Sequence, residues 1–427
     1  MSVFTRSRTT TTLGGIALIG ASALVLAGCA GGGGTGGEEP NESAGPAEEM
    51  TLTVGTALPQ TGNLAFLGPP EEAGVAYAQS LIEEYAETTG LSVELVWGDS
   101  GDLDNKAYET EVPRILAEDP AAIIGAASSG VSLQFIDQVI GEGTILFSPA
   151  NTSDQFTTYE DNGLYFRTAP SDVLQGEVHG NFVAEQGHQT LGLIVLNDAY
   201  GTGLAQYITE AFEGAGGEVV AAPTYNQGDT SFDAQISEVL AADPDAISVI
   251  SFDEAKTILP ALMDRGFDPN NLYLVDGNMA SYKDDFPAGL LEGAKGTYPG
   301  PTPDQVQEFI DGLDAFVEES GDEPLKDYTY APESFDALNL IALAALAAQS
   351  TDPADIAEKL IEVSGGSGDG EKCESFAACA DIILAGDVAD YDGVSSPVTF
   401  DEVGDPTEGF INIYQYGADN TYTPFEG

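Results

Sequence analysis

The sequence predicts two similar α/β lobes, each built on a parallel sheet, and three observations carry that prediction. Short β-branched runs alternate with amphipathic stretches from residue 50 onward. The segment LAEDPAAIIG (116–125) returns as LAADPDAISV (240–249), an offset of 124 residues that is about one lobe long. A chain of 427 residues also favours two domains over one.

At the N-terminus, Arg6 and Arg8 precede the apolar stretch LGGIALIGASALVLAGCA, too short and glycine-rich for a membrane span. It ends in Leu26-Ala27-Gly28-Cys29, which resembles the lipobox of bacterial lipoproteins. That resemblance implies cleavage before Cys29 and a lipid on its sulfur; an ordinary signal peptide with an incidental cysteine is the alternative. The following AGGGGTGGEEPNESAGPAEE reads as a flexible tether that cannot bury a core. Beyond it, strands are expected at 51–58, 91–97, 121–126, 144–150, 191–197, 218–225, 246–251 and 272–276. Helical spacing relates Val75, Ala78, Ile82 and Tyr85, and again Phe232, Ile236, Val239 and Leu240. In both copies of the echo, Asp-Pro stops a helix before a strand.

Composition narrows the partners. The chain has 71 Asp and Glu against 12 Lys and Arg, a formal charge of −59, with 42% hydrophobic residues to build cores. Removing residues 1–28 takes Arg6 and Arg8 with it and leaves 10 basic residues. Nucleic acid and anionic membrane surfaces are bound mainly through Lys and Arg, so both are excluded as partners. Because the charge is spread along the chain, a solvated surface adapted to salt or acid explains it better than a cation store. Cys373 and Cys379 are an even pair in an exported chain, which suggests one small-loop disulfide rather than two free thiols. His179 and His188 show no metal-ligand spacing, so neither a zinc site nor any cofactor is expected.

Ligands of open α/β sheets bind beyond the carboxyl ends of strands, and two facing lobes make those ends a cleft. The repeat sets Ser128 in the role of Phe252 and Ser129 in that of Asp253. One lobe offers neutral donors where the other offers an aromatic ring and a carboxylate, which suits a ligand with an anionic and a cationic end. A carboxylate can be held by hydroxyls and by the N–H groups of a helix N-terminus without a countercharge. Ser128-Ser129 is also what a plain helix N-cap looks like.

The segments ALPQTGNLAFLGPPEEAGVAYA, IIGAASSG, LFSPANTSDQF, YFRTAPSDVLQG and LNDAYGTG occur in order, followed near the end by SSPVTFDEVGDPTEGFINIYQY. Together, over about residues 50–420, they resemble the type I periplasmic binding proteins of ABC importers, in the leucine/isoleucine/valine-binding branch. The resemblance implies two Rossmann-like lobes with parallel central sheets joined by a three-strand hinge, and no enzymatic activity. It implies capture of a branched-chain or similar small amino acid by a monomer, which delivers it to permease and ATPase subunits outside the cell membrane. Lobe one would span 50–168 plus about 301–371, and lobe two 169–300 plus about 372–427, after a leader (1–28) and tether (29–49). The carboxylate would meet Ser128 and Ser129, with further backbone and hydroxyl donors at Ala150 and Thr152. Tyr200 and Phe252 would cover the ligand; relatives often carry tyrosine at the latter position. Asp276, offset by one position from the family pattern, or Asp253 would hold the ammonium. Phe66 and Leu67 would wall the side-chain end. Urea, a short amide or an aromatic carboxylate is the alternative ligand, and sensing without transport the alternative role.

Other patterns are weaker. Gly201-Thr202-Gly203 lacks the rest of a dinucleotide fingerprint. Asp99, Asp102 and Asp104 fail the spacing of a calcium loop and read as a solvated loop entering a helix. No GxSxG or recognisable nucleophile setting supports catalysis.

Overall fold

The computed structural model describes residues 49–426. The expected leader, Cys29 and all but the last residue of the expected tether lie outside the described residues. The first sheet holds β1 (Met50–Ala57), β2 (Leu91–Val96), β3 (Ala122–Gly125), β4 (Ile145–Ser148) and β5 (Tyr165–Arg167). Its order is β2-β1-β3-β4-β5 with every pairing parallel. The connections carry α1 (Gly68–Glu84), α2 (Ala86–Thr89), α3 (Tyr108–Leu116) and α4 (Ser129–Gly141).

The chain then crosses into a second unit, with α5 (Asp172–Glu185), β6 (Thr190–Leu196), α6 (Ala199–Gly214), β7 (Glu218–Ala221), β8 (Thr224–Tyr225), α7 (Asp233–Ala241), β9 (Ala246–Ile250), α8 (Ala255–Asp264), β10 (Leu272–Leu274) and β11 (Lys295–Pro299). It returns to the first through α9 (Gln307–Ser320), α10 (Ala331–Ala348), α11 (Pro353–Val363), β12 (Glu371–Cys373), α12 (Phe376–Leu384) and β13 (Ala389–Tyr391). A last passage delivers β14 (Ile411–Tyr416) and β15 (Tyr422–Pro424) to the second sheet as antiparallel edge strands, in the order β15-β14-β11-β10-β9-β6-β7. Three segments, 168–171, 300–306 and 401–410, therefore join the lobes. A fold of two such lobes on parallel sheets is the α/β class the sequence predicts.

The repeat is structural. Asp119 and Asp243 both turn into the left-handed region, at φ 54° and 52°. Aspartate tolerates that conformation because its short polar side chain can bond locally. Residues 122 and 246, one repeat apart, then open β3 and β9. The expected single strand at 218–225 is divided at Ala222-Pro223, since proline has no N–H for a ladder.

One boundary differs from expectation. Residues from 372 onward were assigned to lobe two, yet Cys373, Phe376, Cys379, Tyr391, Val398 and Phe400 are buried in the first core. Phe400 packs on Phe147 and Phe166 at centroid distances of 5.9 and 5.6 Å. Buried Asp336 anchors the same stretch, accepting from Tyr391 Oη at 2.7 Å and from the Ser395 N–H at 2.7 Å. Only the strands after residue 410 join the second sheet. Cys373 and Cys379 are bonded to each other beside α12. The helix α10 is the one described segment long and apolar enough to cross a membrane, but it is buried as the centre of the first core.

Candidate functional site: a closed cavity between the lobes

β3 ends in a turn that exposes the start of α4. Ser128 caps this helix, its Oγ accepting from the Val131 N–H, as an ordinary N-cap does. Ser129 Oγ accepts from the Ser153 N–H at 3.2 Å, tying the turn to the next loop and leaving its own proton to donate. With Val131 bonded to Ser128, the Ser129 and Gly130 N–H groups are the first-turn amides left without a partner in the helix, and the helix dipole there favours negative charge. In lobe two, β10 runs directly into Asp276.

These pieces meet. Leu64, Leu67, Ala127, Ser128, Ser129, Ala150, Thr152, Tyr200, Phe252, Asp276, Gly277 and Tyr330 enclose one cavity of about 20 Å³. So tight a space admits an organic molecule only when the lobes part. Contacts between lobes hold it closed: Ser153 Oγ to the Ala199 carbonyl (3.2 Å), Asn63 Nδ2 to Glu254 Oε1 (2.6 Å) and Tyr207 Oη to Asp154 Oδ2 (2.6 Å). The approach at Gly130 is close, because a Cβ there would lie 3.1 Å from Asp198 Oδ2 across the cleft.

Asp276 is the buried charge of the site. Its Oδ1 accepts from Tyr200 Oη at 2.6 Å and Gln175 Nε2 at 2.9 Å, and its Oδ2 from Tyr330 Oη at 2.8 Å. Burial pushes its carboxyl above the ordinary range, and hydrogen bonds from Tyr200, Tyr330 and Gln175 pull it back. All three donors are neutral. Tyr200 also stacks on Phe252, with centroids 5.4 Å apart and planes 16° from parallel.

Two candidate residues stand elsewhere. Asp253, expected to hold the ammonium, is pulled outward into an ion pair with Lys256 one turn on (2.7 Å) and is only half-buried. It lines an outer groove together with Phe66, whose ring lies outside the cavity while Leu67 and Leu64 wall it. Ala150 reaches the cavity, but its N–H, expected as a donor, donates to Ser148 Oγ at 3.2 Å. Its carbonyl is therefore the polar group it can offer. Tyr330, Gln175, Leu64, Ala127 and Gly277 were not anticipated. Gln175 lies in the first turns of α5 within a quoted motif; Tyr330 has a left-handed backbone (φ 57°) ahead of a proline-started helix and shows no periodic signal.

Neither histidine touches the cavity. His179 is buried between Thr297 and Ser248 hydroxyls, and burial lowers it to about 3. Asp99 and Asp102 organise their loop by accepting backbone N–H groups of residues 60, 61, 63, 101, 104 and 105. Among the described residues no cluster of His, Cys, Asp or Glu could hold a metal.

Buried carboxyls near the cleft and hinge set a pH dependence. Burial raises Asp198 to about 7 and Glu333 to about 8, and holds Asp172 and Glu71 well above the ordinary range. Their unfolded values lie near about 4, so the folded state binds more protons between about pH 4 and 8. The stability they give is complete below about pH 4 and is lost as pH rises through 7 and 8. Exposed Asp245, lowered by the Gln189 and Thr190 N–H groups, acts in the opposite sense and only below about pH 4. Thermal unfolding at fixed high salt is thus expected to fall from pH 5 to 9, with Asp198→Asn flattening the fall near 7; stability that climbs over this range contradicts the assignment.

Two lobes on parallel sheets, three joining segments and a cavity between them that carries hydroxyls on one side and a carboxylate on the other define a hinged solute-binding protein. The family model described as "Periplasmic binding protein" matches residues 51–371, and the chain belongs to that family, one of extracytoplasmic solute-binding proteins rather than enzymes. Over 84% of its length it is 25% identical to the "chemotactic signal transduction system substrate-binding protein BasB" of Halobacterium salinarum, covering 86% of that protein. It is 26% identical to "Leu/Ile/Val-binding protein homolog 1" of Brucella abortus, over 87% of this chain and 92% of the relative. The crystal structure of the leucine-binding protein LivK of Thermotoga maritima shares the fold, with TM-score 0.71 and 22% identity over 88% of this chain and 98% of that one.

Proposed function

We propose that this chain captures a small aliphatic amino acid between its lobes and delivers it to an ABC permease, while a lipid on Cys29 holds it to the outer face of the membrane. One observation carries the reading: a buried carboxylate on lobe two, Asp276, shares a closed cavity with a helix N-terminus and hydroxyls on lobe one. That pair is complementary in charge to the two ends of a zwitterion. The α-carboxylate meets Ser129, Thr152 and the first-turn amides of α4, and the ammonium meets Asp276 and the Ala150 carbonyl. Leu64, Leu67 and Phe252 give the side chain an apolar wall. No cation grips the carboxylate, so release stays easy; each neutral donor contributes about 1–3 kcal/mol. Ligand contacts to both lobes favour the closed state and shift the hinge equilibrium toward it.

Sensing is the second reading, supported by the similarity to a relative named for chemotactic signal transduction. Calorimetric titration of a lipid-free chain starting at residue 50 tests the ligand. Leucine, isoleucine, valine, alanine or threonine should bind, and their N-acetylated and amidated forms should not. Binding of urea, amides or benzoate with indifference to amino acids would overturn the assignment. Ligand-dependent association with a permease supports transport, and association with a signalling receptor instead supports sensing.

A further inference from the structure

A second cavity, of about 250 Å³, lies behind the first at the hinge. Tyr298, Tyr414 and Tyr422 of the second lobe face Tyr328, Tyr330 and Glu333 of the first across it. The rings stand at steep angles rather than in a stack: Tyr298 and Tyr414 are 83° apart at 6.2 Å, and Tyr414 and Tyr422 are 81° apart at 5.3 Å. An aromatic lining of this kind suits a cation, because ring faces carry a negative quadrupole.

Glu333 supplies the acidic group: burial keeps its carboxyl largely protonated up to about 8, and a cation beside it would draw it into the ionised form. The residue is 2% exposed and lines the cavity; its backbone carbonyl accepts from Thr168 Oγ1 at 3.0 Å, while its carboxyl receives no hydrogen bond from another side chain among the described residues. Room for its carboxyl is made by Gly300 on the joining segment, where a Cβ would lie 2.6 Å from Glu333 Oε1 and φ is +100°. Nearby Glu71 is fully buried with neither oxygen hydrogen-bonded, and burial together with Glu72 and Glu333 holds its carboxyl well above the ordinary range. The basic side chain of the lining, Lys326, is exposed at the rim beside Asp327. An anion would meet ring faces and carboxyls. A bare metal ion would lack oxygen ligands, as no metal-holding cluster exists among the described residues.

We propose that the hinge cavity is a second binding site, for a small organic cation of the alkylated or quaternary ammonium class. Its walls come from both lobes, so an occupant favours the closed arrangement. Tyr330 is common to both cavities, its ring in this wall and its hydroxyl on Asp276. Occupancy of one site therefore biases the other, and reciprocally.

Titration of the lipid-free protein with tetramethylammonium chloride, against sodium chloride at equal ionic strength, tests the site, with tert-butanol as the neutral isostere. Saturable binding of the cation alone is expected. Glu333→Gln should weaken it at least about tenfold, and so should Tyr328→Leu, a half-buried position that keeps the protein folded should Glu333→Gln not fold. Ser129→Ala, on the cleft wall and without a hydrogen bond to Tyr330, should leave the titration intact, which separates this site from the cleft. Equal response to sodium, equal binding of tert-butanol, loss on Ser129→Ala, or binding undiminished in the hinge variants would each overturn the proposal.

Discussion

Asp276→Ala should reduce amino-acid affinity by roughly 30-fold to several thousand-fold, the equivalent of about 2–5 kcal/mol for truncating one partner of a buried charge pair. The carboxylate is shut away from water, so the ammonium finds no replacement when it is removed. Tyr200, Tyr330 and Gln175, which now donate to Asp276, would instead be left unpaired. Asp253→Ala is the matched control. Its carboxylate is 43% exposed and paired with Lys256 on the outer groove, so its loss should change affinity less than about threefold. The pH profile follows from the same chemistry. Burial raises the Asp276 pKa, and binding needs the ionised form, so affinity should fall as pH drops through that raised value. Isothermal titration of the two variants decides between the aspartates. Equal, small losses in both would remove the ammonium from the account.

Asp405→Ala should destabilise the fold by about 3–5 kcal/mol, because it strands a buried guanidinium. Arg167 is fully buried and donates from Nε to Asp405 Oδ1 at 2.6 Å and from Nη2 to Oδ2 at 2.7 Å. Its Nη1 also donates to the carbonyls of Ser153 (2.8 Å) and Asn151 (3.3 Å). One cation thus ties the last joining segment, which carries Asp405, to the loop that presents Ala150 and Thr152 to the cavity. Stability should fall first and ligand affinity with it. Replacing both partners by apolar residues, Arg167→Met with Asp405→Leu, should recover much of the stability, since no charge is then left alone. Denaturant unfolding measures this; a loss below about 1 kcal/mol in Asp405→Ala would show that the pair is not the tie described here.

Much of this was legible in the sequence for physical reasons. Strands buried on both faces are written as β-branched runs, and the Asp-Pro stops mark helix ends twice over. Ser128 and Ser129 could be located because a strand, a turn and a helix start sit in sequence register. What was not legible depends on contacts made late in the chain. Asp253 is in the right register opposite Ser129, but Lys256 one turn on draws it outward. The Ala150 amide is not free for a ligand, because a serine two residues earlier takes it. Tyr330 reaches Asp276 from a third part of the chain, through a left-handed backbone that no periodicity announces. Residues 371–400 are short elements among glycines, and their allegiance to the first core rests on Phe400 and Asp336, contacts invisible to local pattern.

A crystal structure of the lipid-free protein grown with its tightest-binding amino acid tests the central claim most directly. The account predicts the ligand between the lobes, its carboxylate within hydrogen-bond distance of Ser129 and Thr152 and its ammonium on Asp276. A ligand seated elsewhere, or one that leaves those three side chains untouched, would contradict it.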